Sequence, residues 1–420
     1  MSTPTPPTGP PARRALESIE VPLRPGVVRR LLPAVAAALD GGPALLTLPS
    51  HPAAVRESVL AEFRPTEPLE EGVAFVVPTS GSTGRPKGAL LSAAAVQASA
   101  TATHARLGGP GRWLLAVPAT HIAGLMVLAR SVLAGTDPIA VDLTDGFDPE
   151  LFAAASMRLF AAGAAGGDRR YTSLVPRQLA ALVDDGGAGL HALIGYDAVL
   201  VGGSEAATTL LDRTRSAGVA VVTTYGMTET CGGCVYDGRP LEDVGVRIVD
   251  GRVYLSGPVL AGGYRLRPEL AGAFEGGWFT TSDAGYLDSD GRLVVTRRLD
   301  DVAVSGGVNV PLAAVDNAVA SHPDVLAALS IAAPDEQWGQ RIVTAVIPRD
   351  SANPPTLASV RAHVSGRAPV AYAPKELVVT DVLPTLPGGK ADRRGLARRL
   401  GFDAPSPPSS PAPAGCWQTD

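Results

Sequence analysis

The chain is predicted to be an α/β protein: a large N-terminal domain with doubly wound, mainly parallel sheets and a small β unit, then a small α+β domain. Two observations predict this. Short apolar runs rich in β-branched residues alternate with longer helix-like stretches through the first half, and each run is followed at once by polar or Gly-rich sequence. Such alternation reads as βαβ units and a parallel sheet. Ligands of these sheets bind beyond the carboxyl ends of the strands.

The runs fall at 73–77, 113–117, 171–175, 198–201 and 219–223. The loops that follow them are Thr79 to Gly84, Thr120-His121, Pro176-Arg177, Gly202 to Glu205 with Gly203 and Ser204 inside it, and Tyr225 to Thr230. All five are expected to converge on one edge and form the site. From about 244 to 296 the turn pairs Asp250-Gly251 and Asp290-Gly291 punctuate short strands and predict the small β unit. Further on, 302–304 and 342–347 read as strands and 311–320 and 358–364 as helices, giving a compact α+β domain. The expected boundaries are 16–299 and 300–402, with disordered ends at 1–15 and 403–420, where Pro, Thr, Ser and Ala cannot build a core.

With 420 residues, 45% hydrophobic and 18% charged, the chain can bury a large core. A net charge of -5 supplies no basic field for nucleic acid. No run approaches a bilayer span and the N-terminus lacks an apolar leader, so a cytoplasmic protein without a membrane partner is expected. The three cysteines, Cys231, Cys234 and Cys416, form no disulfide framework, and Cys231/Cys234 has no second cluster for zinc. Small buried residues beside a pocket explain them better. Among 36 basic residues Lys stands only at 87, 375 and 390, and a chain that otherwise uses Arg keeps Lys where a compact ammonium is needed.

Thr79, Ser80, Gly81, Ser82, Thr83 and Gly84 lead to Lys87 between a strand and a helical stretch beginning near Ser92. Hydroxyls, Gly-freed amides and one ammonium suit phosphate oxygens. Pro86 and Gly88 exclude a Walker A loop.

With these residues the sequence resembles the acyl-adenylate-forming superfamily of acyl-CoA synthetases, luciferases and peptide-synthetase adenylation domains, over about 70 to 400. Further motifs match in order: Thr223 to Thr230, Gly277 to Asp283, Arg298 to Asp301, Ser305 to Val310, and Leu386 to Lys390. The resemblance implies ATP, magnesium and coenzyme A. It implies that Tyr225 packs on adenine beside Gly226, that Thr228 contacts the adenylate phosphate, and that Glu229 holds the metal. It further implies that Asp283 and Arg298 grip the ribose, that Asp300 is the hinge of a mobile C-terminal domain, that Ser305 to Val310 enters for the thioester step, and that Lys390 is catalytic. Arg297 and Val308 depart from the family pattern, where Gly and an acidic residue are common.

Only 78 residues precede the phosphate loop at Thr79, far fewer than in long-chain acyl-CoA synthetases of this superfamily, so the resemblance implies a small carboxylic acid as substrate. Within the superfamily, Pro118 to Leu125 with Arg130, Ser173 to Pro176 and Tyr225 to Tyr236 are most similar to the o-succinylbenzoate-CoA ligase branch of menaquinone biosynthesis, in its compact actinobacterial form. The acyl pocket is then expected to draw on His121, Arg130, Ser173 and Thr230. Arg130 is the sole charge between Ile122 and Gly135, so its guanidinium must find an anion or snorkel to solvent. A substrate's second carboxylate could pair with it. Nine residues at about 100° each set His121 and Arg130 on opposite faces of one helix, so both can face a pocket only if His121 precedes the helix. Other readings are another small aryl- or acyl-CoA ligase, a stand-alone adenylation enzyme loading a carrier-protein thiol, and a nucleotide sensor. A homo-oligomer is compatible with any of them.

Overall fold

The computed structural model describes residues 13–79, 87–163, 167–299, 301–305, 308–385 and 391–402. The chain divides into two compact units, 1–296 and 297–420.

In the first unit β1 (Leu16–Val21), β2 (Ala44–Pro49), β3 (Val73–Thr79) and β4 (Lys87–Ser92) form a four-stranded sheet in sequence order. The first three run parallel, and β4 returns antiparallel to β3 with Thr79 opposite Lys87. A seven-stranded sheet is built from β5 (Gly111–Leu115), β6 (Ile139–Ala140), β7 (Arg169–Leu174), β8 (Ala198–Gly202), β9 (Val221–Met227), β10 (Gly232–Tyr236) and β11 (Arg239–Pro240). Its order is β11-β10-β9-β8-β7-β5-β6, with β5 to β9 parallel and β10 and β11 antiparallel. The chain leaves β5 for β6 on one side and returns to β7 on the other. That reversal opens a crevice at the carboxyl ends of β5 and β7.

Alternate residues of the strands feed opposite faces, as the two-residue repeat demands. Trp113, Leu115 and Tyr171 join a core with α1 (Val27–Leu39), α3 (Ala93–Leu107) and α4 (Ile122–Ala134), which continues to Phe75 and Leu45 of the first sheet. Leu114, Val199 and Val201 meet α5 (Pro149–Gly163), α6 (Pro176–Asp185) and α7 (Ala188–Ile194) on the other face. Helices on both faces make the sheet doubly wound, as expected. The small β unit is also present: β12 (Gly245–Val249), β13 (Arg252–Ser256), β14 (Trp278–Leu287) and β15 (Leu293–Arg298) lie in sequence order.

The second unit is the expected α+β body. β16 (Val302–Ser305), β17 (Val308–Pro311), β18 (Val325–Asp335), β19 (Gly339–Pro348) and β20 (Glu376–Val379) form a five-stranded sheet. α9 (Leu312–Ala320) and α10 (Leu357–Ser365) share one core with it, and α11 (Arg393–Arg399) shares another through Leu396 and Ala397. Arg393 bonds Asp301 at 3.2 Å, Asp316 at 2.8 Å and the Ser330 carbonyl at 2.7 Å.

Three expectations about local structure need correction. The 73–77 strand belongs to the separate four-stranded sheet, so the five loops do not all leave one sheet. The helix expected to begin near Ser92 is present as α3, but it does not follow the loop directly: Lys87 opens β4, because Leu90 pairs back to Val76 and also bonds Gly263, contacts far away in sequence. Tyr225, Gly226 and Met227 are not loop but the end of β9, paired to β10, and Pro176 begins α6. Asp300 lies outside the described residues. Among those described, no helix is long and apolar enough to cross a membrane.

Candidate active site

The phosphate-loop residues Ser80, Gly81, Ser82, Thr83 and Gly84 lie outside the described residues, as does Lys390. The β3–β4 hairpin places the two ends of that loop, Thr79 and Lys87, as direct cross-strand partners. The Lys87 ammonium stands over the Tyr264 ring, 5.1 Å from its centroid. The hydroxyl of the same ring donates to Glu229 Oε1 at 2.8 Å. Glu229 is 7% exposed, on the short turn Thr228–Thr230 that follows β9, with Thr228 half-buried beside it.

Strand β9 carries Tyr225 to the small β unit. Its hydroxyl donates to Asp283 Oδ2 at 2.7 Å, and the Asp283 amide in turn donates to Thr281 Oγ1 at 3.0 Å. Burial, and then the Asp283 carboxylate, push the Tyr225 phenol far up, so it remains a donor at neutral pH. Gly226 is required by packing: a Cβ there would lie 2.1 Å from the Gly232 carbonyl oxygen. Gly203 ends the neighbouring strand's exit with φ +86, which favours glycine, and leaves Ser204 exposed.

At the crevice, His121 is the N-cap residue of α4, so it precedes the helix, and its side chain makes no capping bond. Ser173, 8% exposed, sits near the end of β7. Along α4, Ile122 and Met126 stand 3.8 and 3.7 Å from the place a Cβ on Gly232 would take. Arg130 follows one turn later on this stripe. It is 3% exposed and its Cζ lies 5.0 Å from the Trp113 ring centroid. Its Nε has no hydrogen-bond partner, and no carboxylate pairs with it among the described residues. Burial lowers its pKa, opposed in part by Tyr236 and Cys231. His104 on α3 has an equally unpartnered Nε2, and burial together with Arg130 lowers its pKa to about 4.

Thr230, another expected acyl-pocket residue, is fully buried, and its hydroxyl closes the turn by donating to the Gly232 carbonyl at 2.7 Å and accepting from the Met227 amide at 3.0 Å. Cys231 and Cys234 are free and fully buried in the core beside α4. Arg298 ends β15, exposed, in the second unit. Two participants escape sequence reasoning. Tyr264 lies in a Gly-rich turn without motif character, and His104 sits mid-pattern in a helix; only the fold brings them to Glu229 and Arg130.

A single buried carboxylate fits a magnesium ion that arrives on ATP, since magnesium takes few protein ligands and keeps phosphate and water oxygens. Among the described residues no group of three His, Cys, Asp or Glu offers a self-contained metal cage.

Residues 23–264 match the AMP-binding enzyme family and residues 314–390 match the AMP-binding enzyme C-terminal domain. A relative from Mycobacterium tuberculosis named "Probable 2-succinylbenzoate--CoA ligase" is 47% identical over 379 residues, 89% of this chain and 96% of that one. The 2-succinylbenzoate--CoA ligase of Geobacillus kaustophilus is 34% identical over 391 residues, covering 87% and 76%. Among solved structures, the o-succinylbenzoate CoA synthetase of Bacillus subtilis in complex with its acyl-adenylate intermediate superposes with a TM-score of 0.70 at 25% identity, over 91% of this chain and 88% of that one. Fold, motif order and relatives agree: the chain belongs to the AMP-binding enzyme family.

Proposed function

We propose that the protein is an ATP-dependent o-succinylbenzoate-CoA ligase working through an acyl-adenylate in the cytoplasm, where ATP and coenzyme A are at hand. The observation that carries the choice of acid is Arg130, a guanidinium 3% exposed with no carboxylate partner among the described residues. An unpaired buried charge is costly, and a ligand carboxylate relieves that cost. A helix rise of 1.5 Å per residue sets Arg130 about 13 Å along α4 from His121, a span suited to an aromatic acid with a second, remote carboxylate. The relatives named for this acid support the same reading.

In the first step a carboxylate oxygen forms a bond to the α-phosphorus of ATP and the bond to pyrophosphate breaks. Two anions must approach, so the site must aim positive charge and donors at the phosphates. Lys87 and the loop from Thr79 through Gly84 serve the β and γ phosphates, and Lys390 bridges the carboxylate and the α-phosphate. Tyr225 offers its ring to adenine beside Gly226, Gly203 and Ser204, while Asp283 accepts from the ribose hydroxyls and Arg298 donates to ribose oxygen. Thr228 donates to the adenylate phosphate. Glu229 would hold the magnesium that arrives on ATP, which neutralises phosphate charge. His121 and Ser173 line the acyl path above Arg130.

In the second step the thiol of coenzyme A loses its proton, sulfur bonds to the acyl carbon, and AMP leaves. A rotation at Asp300 that exchanges Lys390 for the 305–310 loop serves this step. The test is a panel of acids supplied with ATP, magnesium and coenzyme A, scoring AMP. AMP release with o-succinylbenzoate that depends on coenzyme A is expected. Release independent of coenzyme A, or stronger with a monoacid, overturns the assignment.

A further inference from the structure

Tyr264 sits between two charges of opposite sign that come from different sheets and distant stretches of chain. Its backbone is zipped to β4: Gly262 donates to the Leu90 carbonyl, Leu90 to the Gly263 carbonyl, and Arg265 to the Gly88 carbonyl, each within 2.9 Å. The amide of Ala261 donates to the carbonyl of Glu229 at 2.8 Å, so the same segment also grips the metal-site turn. Next in sequence, the Arg265 side chain is 4% exposed and donates to the carbonyls of Phe63, Arg64 and Glu67. Phe274 packs edge-on to the Tyr264 ring, with centroids 5.4 Å apart. The ring therefore has little freedom to move.

Its two chemically different parts meet the two charges. The π face lies under the Lys87 ammonium at 5.1 Å, and the hydroxyl donates to Glu229 Oε1 at 2.8 Å. A ring face attracts a cation, and a hydroxyl bonded to a carboxylate forms the stronger, charge-assisted kind of hydrogen bond. We propose that Tyr264 is a positioning residue that fixes the spacing between Lys87 and Glu229, and with it the geometry in which the triphosphate and its magnesium are received. This rests on the nucleotide reading of the site above, and not on the identity of the acid. Without the hydroxyl, Glu229 keeps its charge but can rotate out of the direction in which the metal arrives. Without the ring, Lys87 loses its platform as well.

The test is calorimetric titration of the full-length protein with ATP, in magnesium and in EDTA, for wild type, Tyr264→Phe and Tyr264→Leu. Tyr264→Phe should bind ATP in EDTA as wild type does, while the tightening produced by magnesium shrinks by about tenfold. Tyr264→Leu should weaken binding in both conditions. In a Glu229→Gln background Tyr264→Phe should have no further effect on the magnesium response. In pyrophosphate exchange, Tyr264→Phe should need more magnesium for half-maximal rate at an unchanged KM for the acid. A Tyr264→Phe protein whose magnesium response equals wild type overturns the proposal, and so does an equal loss with and without magnesium accompanied by a lowered Tm. A wild type that binds ATP and magnesium yet activates no acid overturns the acid assignment alone, because calorimetry needs no acid.

Discussion

The Tyr225 hydroxyl donates to Asp283 Oδ2 across 2.7 Å, tying the last parallel strand of the seven-stranded sheet to the small β unit. Asp283 is 6% exposed, so losing this donor leaves a buried carboxylate short of one bond. Tyr225→Phe keeps the ring for adenine and should cost about 1–3 kcal/mol of stability. Because the same bond sets the direction of Asp283, the KM for ATP should rise several-fold. Urea denaturation and ATP-dependent pyrophosphate exchange measure the two effects; a loss of stability with an unaltered KM would make the pair purely structural.

Arg130→Leu separates a substrate role from a packing role. Leucine fills much of the apolar space beneath Trp113, and removing a buried, unpaired charge is often neutral or stabilising. Thermal denaturation should therefore show an unchanged or raised Tm. The kcat/KM for o-succinylbenzoate should fall by on the order of 100-fold, as for a buried charged pair that loses one partner, while a benzoate-type monoacid falls little. Parallel losses for both acids would assign Arg130 to the scaffold.

The legible parts of this fold are the ones coded locally. Alternating runs such as 171–175 and 198–201 emerge as neighbouring parallel strands in register, with Tyr171 opposite Ala198. The His121–Arg130 spacing lets both residues face one pocket only if His121 precedes the helix, and the helix does begin at Ile122. The helix expected near Ser92 is also present, and the structure adds its cap: the Ser92 hydroxyl accepts from the Ala95 amide at 3.0 Å. What sequence hid was decided by distant partners. Lys87 becomes a strand residue through Thr79 and the 262–265 segment, and Gly226, which looks like a loop glycine, is a strand position where the Gly232 carbonyl comes too close for any side chain. Thr230 has the right chemistry to bind substrate, but left-handed Cys231 at φ 52 folds the turn so that the hydroxyl is consumed locally.

His104 should make the protein acid-sensitive in a defined window. Its pKa is lowered to about 4 in the fold, by burial first and by Arg130 second. Above the ordinary histidine value of about 6.5 both folded and unfolded states are neutral, and the group contributes nothing to pH dependence. As pH falls below that value the unfolded chain takes up a proton that the folded one refuses, so stability drops until the folded pKa is reached, by on the order of 3 kcal/mol. His104→Gln, which cannot protonate, should show a shallower loss between pH 6.5 and 4 in urea denaturation. Identical slopes for the two proteins would place the acid sensitivity elsewhere.

Lys390 lies outside the described residues, between Thr385 and Ala391, which bridge to each other within the second unit; Asp392 then caps α11 by accepting from the Gly395 amide at 2.8 Å. Arg393, three residues on, is held by Asp301 and Asp316, the first of them adjacent to the proposed hinge residue. In the proposed mechanism this lysine serves the charged transition state of adenylation and has no part in the thioester step. Lys390→Ala should therefore lower the adenylation rate by on the order of 100-fold or more, the size of effect seen when a donor aimed at developing charge is removed. Thioester formation from a supplied acyl-adenylate should proceed near the wild-type rate, because expulsion of AMP by a thiolate does not need that ammonium. Single-turnover measurement of each half-reaction decides it, and equal losses in both would contradict a division of labour within the second unit.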